Sequence, residues 1–533
     1  MQIIIPMSGF GNRFKNYGYQ IPKFLIDVNG RPIISYIIDM FPGEKNFLFI
    51  CNKDHLKNKK FNVENVIKKF CPSGKIIGIN PHKLGPVHTV LQAETEIKKG
   101  VQTIVNYCDF TCYWNWNDFK KFVLREGCEG AIPSYKGFHP HSLGKNYYAY
   151  IKENKRKILD IREKKSFTLN RIEEYASTGT YYFSDSNSMI HAFKEQKRSN
   201  QTTNGEYYVS LSYKNLISKK KKIMIYPIKY FMQWGTPEDL HEYIYWSRIF
   251  SSLVKKRKKI KTKGELIIPM AGIGKRFLKE KYRTPKPLIK VSGKEMVIQA
   301  SKALPEFEKT LFLIRNTMKG SQKIQEKVNK IFKNSETALI SGYTGGQLCT
   351  IDIGINYLLK KKPELINSPI TITSCDSKLI YDNEKYISLL NDKDTDIIVW
   401  GIRNYPEAMK QPKMFGWLKM IGDKVDKVFV KEKIKFENYP IVLGTFTFKK
   451  MKYFIKSSSS LKKRQGKVNG EYYVDSCLND AIQMGLKCRL FEVESYVSWG
   501  TPNELKTFEY WQSCFNKWKG HEYKISNDYD FYN

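Results

Sequence analysis

The sequence has no apolar stretch long enough to cross a membrane as a helix. Gly9 interrupts the apolar start, so the first residues do not read as a secretory signal peptide. We therefore expect a cytoplasmic protein without a membrane span. With 41% hydrophobic residues among 533, the chain is rich enough in apolar side chains to fold as a globular protein.

Cysteine pairs of the kind that bind metals are missing as well. Ten cysteines occur, but none forms a CxxC pair, and Cys108 and Cys112 lack partners at zinc-finger spacing. We expect reduced cysteines that fill small apolar positions.

Acidic residues are few: 52 Asp and Glu stand against 90 Lys and Arg, which gives a formal net charge of +38. Such an excess first suggests nucleic acid. However, the lysines are spread along the chain, their clusters at 219–222 and 255–259 lie at a loop and a linker, and no nucleic-acid-binding motif accompanies them. We expect no specific nucleic-acid partner, whereas an anionic substrate fits this charge. A homo-oligomer is compatible with the composition.

What the chain does have is one cassette that occurs twice. The first copy reads IIIPMSGFGNRF and then IPKFLIDVNGRPI; the second reads LIIPMAGIGKRF and then TPKPLIKVSGKEM. Arg13 and Arg276 are 263 residues apart, and so are Lys23 and Lys286. A strand, a glycine loop, an Arg and a Pro-Lys pair that recur in register are far more specific than a single glycine-rich loop.

The cassette suits phosphate. Glycines after a buried strand let the backbone turn tightly and leave N–H groups free for an anion. The Arg would add a planar charged fork, and the Lys a point charge. The glycines concerned are Gly9, Gly11, Gly272 and Gly274.

The similarity extends over both halves. NYCDF, STGTYYF, NGEYYV and QWGTPEDL in the first half match SCDSK, VLGTFTF, NGEYYV and SWGTPNEL in the second, and each half ends in an aromatic helix. The sequence therefore predicts two homologous domains, at 1–253 and 264–533, joined by a basic linker at 254–263. Apolar strands that alternate with helical segments predict α/β domains with mostly parallel mixed sheets.

At this point both halves resemble the sugar-1-phosphate nucleotidyltransferases, also called nucleoside-diphosphate-sugar pyrophosphorylases. The resemblance implies two tandem Rossmann-like three-layer sandwiches related to the A-type glycosyltransferases. It implies a reaction of an NTP with a sugar 1-phosphate, or a similar phosphorylated acceptor, that yields an NDP-sugar and pyrophosphate. The first half also looks like pyrophosphorylase-type proteins of bacterial capsule and surface-glycan gene clusters, through YCDF, GFHPHSLG and QWGTPEDL.

The resemblance also implies roles for residues in both halves. The catalytic contacts to phosphate would be made by Arg13, Lys23, Arg276 and Lys286. Nucleotide binding falls on the glycines of the cassette and on the base-reading segments that begin at Gly85 and Gly346, with Gln347. Mg²⁺ or Mn²⁺ would be bound by Asp109 and Asp376. Contacts to the sugar phosphate fall on Glu163, Lys164, Gly179, Glu432, Lys433 and Gly444.

Some positions depart from the family pattern. A second metal-binding Asp is replaced by Gln233 and Ser498, and Asp475, which could compensate, corresponds to Ser210 in the first half. His139 and His141 have no counterpart in the second half, so that a loop role and a ligand role both stay open. Two alternatives remain: an A-type glycosyltransferase, although Asp-x-Asp is missing, and a non-catalytic role for one half.

Overall fold

The computed structural model describes residues 1–432 and 438–532, which form two compact units. Unit 1 comprises residues 1–248 and 513–521, and unit 2 comprises residues 249–512 and 522–533.

Unit 1 is built from β-strands and α-helices that alternate along the chain. Its strands are Gln2–Met7 (β1), Asp27–Val28 (β2), Arg31–Pro32 (β3), Phe47–Asn52 (β4), Lys75–Ile79 (β5), Thr103–Asn106 (β6), Phe110–Tyr113 (β7), Gly130–Tyr135 (β8), Ala149–Asn154 (β9), Lys157–Glu163 (β10), Tyr175–Ser177 (β11), Thr180–Phe183 (β12), Ile223–Pro227 (β13) and Tyr230–Gln233 (β14). Its helices are Asn12–Asn16 (α1), Ile33–Asp39 (α2), Lys53–Lys57 (α3), Val63–Phe70 (α4), Pro86–Gln92 (α5), Trp116–Glu126 (α6), Ser186–Arg198 (α7), Val209–Ser218 (α8) and Pro237–Leu253 (α9).

The main sheet of unit 1 has ten strands in the order β11-β9-β10-β13-β8-β12-β6-β1-β4-β5. β1 pairs in parallel with β4 and β6, and β4 pairs in parallel with β5. β12 runs antiparallel between β6 and β8. Since the parallel strands end at the same edge, the loops after β1, β5 and β6 lie together there.

The apolar character of its central strands explains why this sheet lies inside the unit. Every residue of β1, β4, β6 and β8 is buried, as expected for strands covered on both faces. On one face, apolar residues of α5, α7 and α8, among them Val90, Phe193 and Tyr213, pack against Ile4, Val105 and the neighbouring strands.

Unit 2 repeats this arrangement. Its strands are Lys261–Met270 (β15), Lys290–Val291 (β16), Lys294–Glu295 (β17), Glu306–Arg315 (β18), Ser335–Ile340 (β19), Ile370–Ile372 (β20), Ser377–Ile380 (β21), Ile397–Ile402 (β22), Gly416–Ile421 (β23), Lys424–Val430 (β24), Ile441–Phe448 (β25), Cys488–Glu492 (β26) and Ser495–Ser498 (β27). Its helices are Lys275–Lys279 (α10), Met296–Lys302 (α11), Ser321–Ile331 (α12), Gln347–Lys361 (α13), Asn383–Asn391 (α14), Pro406–Lys410 (α15), Met451–Lys463 (α16), Val474–Gln483 (α17), Pro502–Lys517 (α18) and Tyr529–Tyr532 (α19).

The nine-stranded sheet of unit 2 has the order β19-β18-β15-β20-β25-β22-β26-β24-β23. β15 pairs in parallel with β18 and β20, and β25 runs antiparallel between β20 and β22, as β12 does in unit 1. Helices α13, α16 and α17 bury Leu348, Phe454 and Leu478 against this sheet. The α/β class with two similar mixed-sheet domains is confirmed. Among the described strands, antiparallel pairings are more common than parallel ones, because long hairpins such as β9–β10 and β23–β24 form the far side of each sheet.

The region between the halves contains an exposed segment and the start of a strand. Residues 255–259 are exposed, but β15 begins at Lys261, inside the segment predicted as linker. The division into units falls within α9 and α18. Unit 1 therefore includes residues 513–521, where Ser513 Oγ lies 2.6 Å from Tyr230 Oη and Trp518 packs edge-on against Tyr36.

All ten cysteines are free, and nine are buried, which confirms the prediction of reduced cysteines in apolar positions. Within the part of the chain that the structure describes, no helix combines the length and apolar character needed to cross a membrane.

Candidate functional site

The phosphate loops follow the first strand of each sheet. β1 ends at Met7, and the chain turns through Gly11, which has a φ of 68° and precedes α1. β15 ends at Met270, and Gly274, with a φ of 71°, precedes α10. This left-handed conformation is easily reached by glycine alone, so the two glycines allow the turn that presents Arg13 and Arg276.

A lysine and an aspartate meet beside each loop. Lys23, in a short 3₁₀ turn after Pro22, donates to Asp109 Oδ2 over 2.8 Å. Lys286 donates to Asp376 Oδ2 in the same way. Burial alone would lower the pKa of both lysines, but the carboxylate and a neighbouring cysteine outweigh it and raise the pKa. The lysines are therefore charged at neutral pH, where they can hold phosphate.

A cavity of about 520 Å³ in unit 1 brings most of the predicted residues together. Residues of the phosphate loop and residues predicted to bind the acceptor both line it: Gly9, Gly11, Arg13, Lys23, Asp109, Glu163, Lys164 and Gly179. Gly85 lines a second cavity of about 250 Å³, which shares Gly9, Gly11, Lys23 and Asp109 with the first. Two adjoining spaces thus flank the Lys23–Asp109 pair.

The two residues predicted to contact the acceptor, Glu163 and Lys164, follow one another at the end of β10. Glu163 accepts a hydrogen bond from Ser210 Oγ, and burial raises the pKa of its carboxyl to about 7. Lys164 Nζ contacts Tyr208 Oη and lies 3.8 Å from Glu206 Oε2. Burial lowers the pKa of Lys164. A half-neutral carboxyl beside a cation suits an acceptor that carries both hydroxyl and phosphate groups.

Unit 2 places the equivalent residues two positions earlier than the sequence comparison does. β10 ends at Glu163 and β24 ends at Val430, and the next residues, Lys164 and Lys431, share a positive φ of 56° and 59°. Lys431 is therefore the counterpart of Lys164. Glu432 is exposed, and Lys433 lies outside the described residues.

The carboxylate at this position enters unit 2 from the opposite wall. Val430 pairs with Gly416, as Glu163 pairs with Ala149 in unit 1. A Cβ on Gly416 would lie 2.7 Å from Asp475 Oδ2, so only glycine leaves room for this side chain. Burial lowers the pKa of Lys431, and Asp475, at the position of Ser210, opposes this lowering. Burial also raises the pKa of the Asp475 carboxyl. Unit 2 therefore keeps a carboxylate beside its lysine, although strand β24 supplies none.

The segments predicted to read the base are tightly packed. A Cβ on Gly85 would lie 2.9 Å from Tyr207 N, and one on Gly346 would lie 2.6 Å from Tyr472 O. These glycines are thus needed for backbone packing at the start of α5 and α13. Gln347 is the first residue of α13, and Gly444 lies within β25.

Oxygen atoms that suit a hard cation surround a glycine in unit 2. A Cβ on Gly500 would lie 3.2 Å from Asp376 Oδ2, 3.3 Å from Glu504 Oε2 and 3.4 Å from Ser498 Oγ. The space that this Cβ would fill is bordered by oxygen ligands of the type that Mg²⁺ and Mn²⁺ prefer.

Unit 1 has a related arrangement. A Cβ on Gly235 would lie 3.2 Å from Asp109 Oδ2. Gln233 Oε1 is buried without a hydrogen-bond partner among the described residues, and Gln233 and Asp239 line the large cavity with Asp109. The residues present therefore fit a cation. No group of three or more His, Cys, Asp or Glu side chains suited to a metal occurs in the described chain, so substrate oxygens would have to complete the coordination.

The two tryptophans and two histidines noted in the sequence have structural rather than ligand-binding positions. Trp234 and Trp499 are buried, as expected for core packing. His141 Nε2 lies 2.7 Å from Tyr135 Oη, and His139 is buried with a pKa lowered by burial to about 4. Neither histidine belongs to the described lining of the large cavity, which favours the loop role.

Sequence reasoning did not assign Glu206, Tyr208, Asp239, Glu504 or Lys431 to the site. Signals for four of them, all except Lys431, were present. NGEYYV is identical in both halves, and an acidic residue follows each WGTP motif at the same distance.

No protein-family model matches the chain, and no match is found among curated proteins. Among solved structures, a nucleoside-diphosphate-sugar pyrophosphorylase from Vibrio cholerae is 21% identical, with a TM-score of 0.38 over 46% of this chain and 99% of its own. An inositol-1-phosphate CTP transferase from T. maritima is 16% identical, with a TM-score of 0.35 over 48% and 96%. A UDP-glucose pyrophosphorylase complexed with UDP-glucose is 18% identical, with a TM-score of 0.37 over 45% and 95%.

Proposed function

We propose that this chain transfers a nucleoside monophosphate from an NTP to a sugar 1-phosphate or a similar phosphorylated acceptor and releases pyrophosphate. The observation that carries the proposal is the single 520 Å³ cavity in unit 1, which unites a glycine phosphate loop, Arg13, Lys23 and Asp109 with Glu163 and Lys164.

The phosphate loop and its cations would bind the triphosphate. Backbone N–H groups near Gly9 and Gly11, with Arg13 and Lys23, would neutralise the β- and γ-phosphates and the pyrophosphate as it leaves. Backbone turns fix the loop, and Asp109 holds Lys23 beside it, so that both are in place before the substrates bind.

The acceptor would bind in the same cavity, beside Glu163 and Lys164. Lys164 would hold its phosphate, and Glu163 would exchange hydrogen bonds with a hydroxyl group, either as acceptor or, when protonated, as donor. A phosphate oxygen of the acceptor would then form a bond to the α-phosphorus as the bond from that phosphorus to the β-phosphate oxygen breaks. The reaction releases pyrophosphate and needs no protein nucleophile.

A divalent cation would be held by Asp109, Gln233 and Asp239 in unit 1 and by Asp376, Ser498 and Glu504 in unit 2. When bound, it would neutralise phosphate charge. The function would serve activated-sugar synthesis, with surface glycans as the context that the first half suggests.

The test is a pyrophosphate-release assay of the full chain with four NTPs against a panel of sugar 1-phosphates, an alditol phosphate and phosphocholine, each with Mg²⁺ or Mn²⁺. We expect turnover with at least one pair, and loss of it in EDTA. Transfer from a nucleotide sugar to an acceptor, without pyrophosphate release from any NTP, would instead identify a glycosyltransferase.

A further inference from the structure

A buried arginine lies under the base-reading loop of unit 2. Arg315 is the last residue of β18 and is 6% exposed. Its Nη1 donates to Ala271 O over 2.9 Å, directly before the phosphate loop. Its Nε is buried without a hydrogen-bond partner among the described residues. A permanent charge is therefore held next to the start of the loop.

An exposed tyrosine covers this arginine. Tyr343 lies in the loop between β19 and α13, and its ring centroid is 4.3 Å from Arg315 Cζ. The ring is nevertheless 64% exposed. One face of the ring rests on the guanidinium, so the exposed part includes the opposite face. Cation–π contact fixes the ring in place without hiding it.

Unit 1 differs at both positions. His82 stands three residues before Gly85, as Tyr343 stands three residues before Gly346. His82 lines both cavities of unit 1, so this loop position borders the proposed nucleotide site there. At the strand end that corresponds to Arg315, unit 1 has Asn52, which caps α3. The tyrosine and its supporting arginine are thus found together in unit 2.

We propose that Tyr343 is the stacking surface for the nucleobase of an NTP in unit 2, and that Arg315 is the positioning residue that holds its ring. The inference deepens the proposed function, because it rests on unit 2 taking a nucleotide. A tyrosine that only shielded Arg315 would gain most by being buried. A ring fixed on one face and open on the other is suited to stacking, which uses ring faces and tolerates every base.

The test measures binding, so that it is independent of turnover. Each of four NTPs, with Mg²⁺ and without acceptor, is titrated by calorimetry into the full chain and its Y343A, Y343F and H82A variants. We expect Y343A to weaken one binding event about tenfold for every NTP. Y343F, which keeps the ring, should bind as the unchanged chain does, and H82A should leave the event that Y343A weakens unaffected.

Photolabelling tests where the nucleobase binds, and a second pair of variants tests the role of Arg315. Photolysis with 8-azido-ATP should place the label within residues 341–346, among other peptides. R315M should weaken the same event, and R315K should restore part of it, at melting temperatures within a few degrees of each other.

Unchanged NTP binding in Y343A, a loss confined to one base, or no label within 341–346 would each overturn the inference. Pyrophosphate release that fails while Y343A still weakens binding would count against the proposed function alone.

Discussion

Lys23 Nζ lies 2.8 Å from Asp109 Oδ2, and Lys286 makes the same contact with Asp376 in unit 2. Each pair joins a cation for phosphate to a carboxylate for a metal ion. Because the two groups satisfy each other in the free protein, neither is left as an uncompensated partly buried charge. Substrate phosphate and a cation would separate the pair only when both are present.

Lys23→Ala and Lys286→Ala should each lower pyrophosphate release at one site by about 100-fold, because one preorganised charge is lost. The double variant should have almost no activity. Lys121→Ala, an exposed lysine on α6, is the control and should keep full activity. Steady-state rates for the four proteins check this, and a fully active double variant would contradict the assignment.

Glu163 should make stability depend on pH. Burial raises the pKa of its carboxyl from 4.5 to about 7, so between these values the folded state binds more protons than the unfolded state. The free energy of unfolding contributed by this group therefore falls as pH rises through that window and changes little above it. Melting temperatures from pH 4 to 8 should show this fall in the unchanged chain and in Glu173→Gln, but less of it in Glu163→Gln. Identical curves would contradict the burial effect.

Glu504 should contribute to cation binding in unit 2. With Lys23→Ala to silence unit 1, Glu504→Gln should raise the Mn²⁺ concentration for half-maximal activity at least about tenfold. Paramagnetic resonance of free Mn²⁺, measured in the presence of pyrophosphate, should show the same loss without turnover. Glu509→Gln, an exposed position on the same helix, is the matched control. Equal Mn²⁺ affinity in both variants would show that Glu504 is not a ligand.

Asp475 should contribute to acceptor binding in unit 2, as we propose for Glu163 in unit 1. In the Lys23→Ala background, Asp475→Asn should raise the KM for the acceptor about tenfold or more, since hydrogen bonds to charged groups contribute about 1.5–3 kcal/mol. The KM for the NTP should stay unchanged. The triple change Gly416→Ala, Val430→Glu and Asp475→Ser should lower the acceptor KM again and shift the preference toward that of unit 1. An acceptor KM that is unchanged in Asp475→Asn would contradict this role.

Much of the fold could be predicted from repetition. Fully apolar strands such as IIIPM, placed before glycine loops, indicated buried parallel strands, and the match between halves gave two similar domains. The Lys–Asp contacts follow from that topology, since Lys23 and Asp109 both lie beside strand ends at one edge of the sheet.

The parts that escaped prediction depend on three-dimensional packing. The segment K-E-K after β24 offered two lysines, and only the strand end selects Lys431 over Lys433. The strand end itself carries Val430 and no carboxylate, and the sequence does not show that Asp475 approaches this position from helix α17. Oxygen atoms around Gly500 come from three separate segments, which no local motif reveals.

Residues 513–521 belong to unit 1 although they lie near the end of the sequence, and this affects the order in which the units fold during synthesis. At about 5–20 residues per second, the ribosome adds these residues on the order of tens of seconds after Arg248. During that interval, Tyr36 and Tyr230 lack Trp518 and Ser513, and their apolar surface stays open to solvent and to chaperones. A chain released at Leu253 would remain in that state, with a lower melting temperature than unit 1 has in the full chain. The first half to be synthesised is thus the one that finishes folding only when the second is nearly complete.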